Sequence, residues 1–273
     1  MQDILKEIVT HKKTEIARQK EILSFSALLD ESAAPRSFRS MRKALENSES
    51  GIIAEFKRRS PSKGWISQNA TIETILPAYE KAGASAISVL TNEKYFGGSL
   101  RDLRCARQHT VLPILRKEFI IDSYQLLQAR IVGADAVLLI AACLDIRQCE
   151  ELAAYAHELG LEVLLEVHCE EEMRYLNNHI DMLGINNRNL GTFVTDVQNS
   201  FRLARQIKEH AAASSRPPLL ISESGISHPE TVALLRKEDF RGFLIGETFM
   251  KTPDPGATLA DFIRHIHLAT ARS

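Results

Sequence analysis

Cysteine is scarce in this chain, and the four that occur (Cys105, Cys143, Cys149 and Cys169) show no Cys-x-x-Cys spacing. Most sit in apolar or helical surroundings and read as reduced, packed thiols, which argues against a disulfide framework or a thiolate zinc site. No His, Cys and Asp cluster stands at metal-ligand spacing, so a metal-free site is expected. His109 and His168 read as surface or turn histidines. No apolar run reaches the ~18 residues of a membrane span. The amino-terminal stretch carries Asp3, Glu7, Glu15 and Glu21 among its lysines, unlike a signal or transit peptide, and a cytoplasmic protein is expected. Neither sign of charge is in excess: 34 basic residues face 35 acidic ones, for a net charge of −1. That balance argues against a nucleic-acid or membrane partner, while leaving room for a local basic cluster that holds a small anion.

What is present is a regular alternation. Short, nearly continuous apolar runs occur at 51–57, 85–90, 112–117, 135–141, 162–167, 181–186, 218–223 and 242–246. Between and after them, apolar residues recur at helical spacing over 71–82, 99–108, 122–132, 145–159, 169–178, 196–210, 228–236 and 257–269. Apolar strands separated by helices predict an α/β fold with a parallel sheet covered on its helical side. One joint is repeated: Ala82-Gly83-Ala84-Ser85-Ala86 and Val132-Gly133-Ala134-Asp135-Ala136 each run from a helix end through a glycine into a strand. Eight such units predict a (β/α)8 TIM barrel, for which ~250 residues is typical. A doubly wound sheet is the rival. Polar residues end most of the strands and no Gly-x-Gly-x-x-Gly follows the first, so the barrel is preferred.

Residues 1–48 precede the first strand and hold too few large apolar residues for a core of their own. They read as an N-terminal helical extension, a lid or bottom plug with helices over 2–23 and 38–47. Residues 49–273 then form the barrel catalytic domain.

In such a barrel the residues ending each strand converge on one mouth. The first strand ends in Glu55 and Lys57, two residues apart and so on one face. Alone, that pair would read as a surface salt bridge. Later strands add Lys117, then Glu166, then Asn186 and Arg188, then Glu223, Ser224 and Gly225, and finally Gly246. Three carboxylates and two ammonium groups in one mouth can hold their pKa values apart and divide acid and base roles. The glycines after strands seven and eight can offer backbone N–H groups to a phosphate. Glu247 would then have to point its side chain away.

These segments resemble a known family. Ile-Ala-Glu55-Phe-Lys57-Arg-Arg-Ser60-Pro-Ser, Lys94-Tyr-Phe96-Gly-Gly-Ser, Leu-Arg-Lys117-Glu-Phe119, Leu-Leu-Glu166-Val, Gly-Ile-Asn186-Asn-Arg188-Asn-Leu, Ser-Glu223-Ser224-Gly-Ile and Leu-Ile-Gly246-Glu look like the motifs of indole-3-glycerol phosphate synthase, in that family's order. The resemblance implies ring closure, decarboxylation and dehydration of a carboxyphenylamino-deoxyribulose phosphate in tryptophan biosynthesis, without metal or organic cofactor. It implies Lys117 as general acid, Lys57 as a phosphate-end contact sharing the acid role, and Glu166 as proton relay. Glu55 would orient Lys117 or take a proton on rearomatisation. Asn186, Arg188, Glu223 and Ser224 would contact the sugar chain, the carboxylate or the lysines. Ser60, Gly225 and Gly246 would donate to phosphate. Phe96 and Phe119 would wall a slot for the anthranilate ring, with ordinary core packing as the alternative. Beyond this phosphosugar substrate, the partners it suggests are other tryptophan-pathway enzymes. A pathway isomerase would be expected to use a cysteine–aspartate pair, and no cysteine ends a strand here. A non-catalytic, anion-binding barrel would leave Lys57, Lys117 and Glu166 a coincidence.

Overall fold

A computed structural model describes residues 4–189, 194–211 and 217–271. Residues 1–3, which the helical pattern partly includes, and Leu190 of the sixth strand's motif lie outside the described residues. Eight parallel strands close into a barrel: β1 (Ile52–Phe56), β2 (Ala86–Leu90), β3 (Ile114–Lys117), β4 (Ala136–Ile140), β5 (Glu162–Val167), β6 (Met182–Asn186), β7 (Leu219–Glu223) and β8 (Phe240–Ile245), with β1 paired to both β2 and β8. All eight predicted strands are present, and β8 begins two residues before its expected start. Closure leaves no sheet edge unpaired.

Alternation along each strand sorts the side chains. Ile53, Leu115, Leu138, Leu164, Ile221 and Leu244 point inward and pack as one buried interior cluster. Two residues on, at the same parity, stand Glu55, Lys117, Ile140, Glu166, Glu223 and Gly246. The residue pattern that fills the barrel with hydrocarbon therefore places the ionisable groups in the next layer up. The intervening residues face the helices: Arg116, for instance, is buried outside the barrel, donating to Thr91 Oγ1 and the Gln125 carbonyl.

The amino-terminal segment covers both ends. Helix α1 (Ile4–Ile22) crosses the carboxyl-terminal mouth, where Ile4, Leu5 and Ile8 border the central cavity. It is pinned by Lys12, almost wholly buried, whose ammonium lies 3.2 Å from Glu118 Oε2. Lys20 pairs with Asp122 at 2.7 Å, and Glu7 accepts from the Tyr95 hydroxyl at 2.8 Å. At the other end, α3 (Met41–Glu46) inserts Met41 and Leu45, four residues apart on one helix face, into the barrel floor. Gly242 makes room for them: a Cβ there would stand 2.8 Å from Ile221 and 3.3 Å from Leu45. Leu45→Ala is expected to lower the unfolding free energy by about 2–5 kcal/mol. Urea denaturation measures this, and a change below about 0.5 kcal/mol, the usual range of surface substitutions, would remove the plug from the stability account.

The amino-terminal segment and the turn after β5 depart from the sequence expectations. A helix absent from the pattern, α2 (Phe25–Ser32), forms between α1 and α3, started by Ser24, whose hydroxyl accepts from the Ala27 N–H. Over the expected helix 169–178 only a 3-10 helix forms, at Glu170–Tyr175. Its buried residues, Met173 and Tyr175, are two apart and give no α-helical stripe, and the Tyr175 hydroxyl instead ties back to the Leu144 carbonyl at 2.8 Å. The remaining barrel helices lie close to their expected spans, from α4 (Ile72–Lys81) to the closing helix Pro255–Ala271. Among the described residues no helix is long and apolar enough to cross a membrane.

Candidate active site

Every residue singled out from the strand ends borders one cavity of about 530 Å³ at the carboxyl-terminal mouth: Glu55, Lys57, Ser60, Phe96, Lys117, Phe119, Glu166, Asn186, Arg188, Glu223, Ser224, Gly225 and Gly246. The register explains the convergence. Asn186 stands beside Glu223, and Glu166 beside Gly184, across neighbouring strands. Gly184 has no side chain because Glu223 occupies that space: a Cβ would lie 2.1 Å from its Oε1. Gly246 likewise leaves room for Glu55, whose Oε1 would be 2.5 Å from a Cβ there.

Charge is arranged as two linked pairs. Lys57 Nζ lies 2.6 Å from Glu55 Oε1, so the Glu-x-Lys motif pairs a buried carboxylate with a half-buried ammonium and is no surface bridge. Lys117 Nζ donates to Glu166 Oε2 at 3.2 Å and stands 3.4 Å from Glu223 Oε2. Burial opposes the charge on Lys117, but Glu166, Glu223 and Glu55 together outweigh it and keep the ammonium well above its ordinary range. Burial also pushes the carboxylates up, to different net effect. In Glu55, Lys57 and Lys117 reverse that push and hold the group ionised. In Glu166, Lys117 together with His168 and Asn186 does the same. Glu223 gains too little from Lys117 to offset burial and the neighbouring Glu166 and Glu55 charges, and is pushed up to about 8. The three acids of the layer are therefore unequal, Glu55 and Glu166 held ionised and Glu223 the readiest to carry a proton, a division of roles imposed by proximity.

The rest of the rim is set by loops. After β1 a small hairpin pairs Arg59–Ser60 with Gly64–Trp65 and carries Ser62 and Lys63 over the cavity. Ser62 accepts from Arg188 Nη1 at 3.1 Å, and Lys63 pairs with Glu247. Glu247 lies 3.9 Å from Arg188 as well, so its carboxylate is engaged by two cations at the cavity edge. Ser60 is buried, and its hydroxyl hydrogen-bonds to none of the described residues. Phe96 and Phe119 are half-buried against each other at 6.1 Å and face the cavity, beyond simple core packing. Ser224 adopts a left-handed backbone (φ 67°), a conformation costly for a residue with a side chain. It is held by Asn187, whose amide donates to the Ser224 carbonyl and to Ser222 Oγ, both at 3.0 Å.

Several contributors were not read from sequence. Asn187, Gly184, Glu118 and Lys12 carry no signal of their own in the strand-end pattern. His168 is a correction: it is no surface histidine, with its side chain only 13% exposed and its Nε2 3.3 Å from Glu166 Oε1. The alternation Leu164, Glu166, His168 was the available signal for it. Among the described residues no group of three or more His, Cys, Asp or Glu side chains is placed to hold a metal ion.

Comparison with known proteins decides the lineage. The family model for indole-3-glycerol phosphate synthase matches residues 5–262. The chain belongs to the indole-3-glycerol phosphate synthase family. Within it, the indole-3-glycerol phosphate synthase of Bacteroides thetaiotaomicron is 61% identical over 97% of this chain and 100% of its own length. That of Bordetella pertussis is 42% identical over 96% of this chain and 100% of its own. Among solved structures, the tryptophan synthase α subunit of Legionella pneumophila superposes with a TM-score of 0.60 at 15% identity, covering 87% of this chain and 100% of that one. At that identity the likeness speaks for the shared barrel alone. The family assignment covers β1 to the closing helix, and with it every residue bordering the cavity apart from Ile4.

Proposed function

We propose that the cavity converts 1-(2-carboxyphenylamino)-1-deoxyribulose 5-phosphate into indole-3-glycerol phosphate, carbon dioxide and water. The observation that carries this reading is the Lys117 ammonium, held between Glu166 at 3.2 Å and Glu223 at 3.4 Å at the base of a cavity with aromatic rings on one wall and cations at its rim.

The substrate is anionic at both ends, with a phosphate on the sugar chain and a carboxylate on the ring. Lys57, Ser60 and the backbone of Gly225 and Gly246 form the phosphate end. An unpartnered buried hydroxyl such as Ser60 costs about 1–3 kcal/mol, and a bound oxyanion would relieve it. Phe96 and Phe119 form the slot for the benzene ring. In the first step the ring carbon that carries the carboxylate attacks the ketose carbonyl, and Lys117 delivers a proton to the oxygen as the new carbon–carbon bond forms. The cleaved carboxylate then leaves as carbon dioxide and its bonding electrons restore the aromatic ring, a step favoured where water is excluded. In the last step the new hydroxyl departs as water. Lys57 assists by protonation, Glu166 holds the departing group, and Glu55 or Glu166 takes the proton released as the second double bond forms. Two ammonium groups spare a single donor from reloading between ring closure and dehydration. Asn186 holds Glu166 at 3.1 Å, and Arg188, Ser224 and the protonated Glu223 contact the sugar hydroxyls or the substrate carboxylate.

The test follows indole fluorescence as purified protein is mixed with the substrate, with and without a chelator. Product formation at the same rate in both is expected. Binding without turnover would overturn the reading in favour of an anion-binding barrel, and turnover abolished by the chelator would overturn its metal-free chemistry.

A further inference from the structure

His168 stands behind Glu166 as seen from the cavity. Glu166 borders the cavity; His168 is not among the described residues that do. The Glu166 carboxylate is divided between two sides. Its Oε1 accepts from Asn186 Nδ2 at 3.1 Å and lies 3.3 Å from His168 Nε2, while Oε2 faces Lys117. The other ring nitrogen, His168 Nδ1, is 3.4 Å from Glu172 Oε2. Glu172 comes from the 3-10 helix that replaces the expected helix after β5, and the same oxygen accepts the His168 backbone N–H at 2.6 Å. Asn199 Nδ2 donates to the His168 carbonyl at 3.1 Å, so the residue is held at its backbone on both sides, while each buried ring nitrogen lies within ion-pair distance of a carboxylate and hydrogen-bonds to none of the described residues.

We propose that His168 is a positioning residue: clamped as a cation between Glu166 and Glu172, it fixes Glu166 Oε1 so that Oε2 alone exchanges protons with the substrate. The proposal rests on Glu166 being the proton relay of the reaction above. Burial disfavours a charged imidazole, yet the two flanking carboxylates outweigh it and raise the ring to about 9. The titratable groups that face the ring are Glu166 from β5 and Glu172 from the 3-10 helix, with Lys117 of β3 beyond Glu166.

A second cation beside Glu166 has a specific use. Lys117 is shared with Glu223, and as general acid it gives up its proton during ring closure. With Lys117 neutral, a Glu166 supported by nothing else would take up a proton or rotate away before dehydration. His168 neither touches the substrate nor changes charge, so it keeps Glu166 ionised and oriented through the cycle. A misplaced reacting group can cost about 100-fold in rate.

The experiment compares the full-length chain with His168→Leu, His168→Gln and Glu172→Gln, measuring kcat and KM from pH 5.5 to 10. For His168→Leu, kcat is expected to fall about 10- to 100-fold with KM within about threefold. Its acidic limb should move up by at least about one pH unit, because an opposite charge no longer holds the carboxylate down. His168→Gln, which restores an N–H donor without a charge, should regain most of kcat and leave the limb displaced. Glu172→Gln should keep kcat near neutral pH and introduce an alkaline limb below pH 9, where His168 now loses its proton. An unchanged kcat and limb in His168→Leu, or a loss confined to KM or thermal stability, would overturn the proposal.

A 15N titration of the imidazoles in the full chain decides the matter independently of turnover. A His168 ring titrating near the ordinary value of about 6.5 overturns the clamp, whereas one that stays protonated through pH 8 and shifts down in Glu172→Gln supports it. If the parent protein makes no indole-3-glycerol phosphate, the reaction reading has failed, and this titration still judges the clamp. The same measurement stands in if His168→Leu does not fold.

Discussion

Lys117→Met lowers kcat by at least about 100-fold, equivalent to about 2.7 kcal/mol of lost transition-state stabilisation. The far-ultraviolet spectrum and the cooperativity of unfolding stay as they are. The loss has two sources. The proton donor for the ketose oxygen is removed, and so is the charge that holds Glu166 ionised, since Lys117 is the largest influence opposing the burial of that carboxylate. The fold survives because the side chain lies at a cavity and not in the hydrocarbon layer beneath it, where Leu115 carries the packing of β3. Glu166, left without that cation, can bind a proton instead of remaining as an uncompensated buried charge, and Glu223 is already pushed toward its protonated form. Steady-state and single-turnover assays measure the effect. Near-parental turnover would remove Lys117 from the chemistry.

Glu166→Gln is expected to lower kcat by about 10²- to 10³-fold, within the usual range for loss of a positioned acid or base. It should also do something Lys117→Met does not, which is to let an intermediate build up. The amide preserves the size of the side chain and retains an oxygen to accept from Asn186, which donates to Glu166 Oε1 at 3.1 Å in the parent. What it lacks is a carboxylate to accept a proton and pass it on. Ring closure and decarboxylation depend on the proton from Lys117 and proceed; dehydration needs the relay and slows. Rapid-quench analysis should therefore find a ring-closed, decarboxylated species that still carries its hydroxyl. If product appears with no intermediate at any time, Glu166 acts before ring closure and the order of roles is wrong. The two variants also separate the partners of one pair: in the first the ring-open substrate accumulates, in the second a closed one does.

Much of the site was legible because the barrel maps sequence onto space by a simple rule. A strand alternates, so Ile53 and Glu55, Leu115 and Lys117, Leu164 and Glu166, and Ile221 and Glu223 share a face two by two. In a closed parallel barrel all these faces meet on one axis. Apolar residues low on the strands and ionisable ones at their ends therefore announce both a packed interior and a charged layer above it. The rule fails where the chain leaves the strands. Helix α2 was missed because its apolar stripe is short and depends on Ser24 for its start. After β5 the apolar spacing over 169–178 predicts a helix, and only the packing of Met173 and Tyr175 shows that a short 3-10 helix forms instead.

The same boundary runs through the chemistry. The kinds of group in the mouth, their strand of origin and the direction they face follow from residue identity and a period of two, which needs no long-range information. Which carboxylate keeps its proton does not. Glu55, Glu166 and Glu223 are alike in sequence and all buried, and they differ in how near each stands to Lys57, Lys117, His168, Asn186 and one another. Those separations of 2.6 to 3.4 Å join residues up to 106 positions apart, and electrostatic interaction between buried groups depends on such distances and not on order along the chain. Tertiary structure alone decided the charge states, the burial of His168, and the use of one amino-terminal segment to cover the mouth and plug the floor.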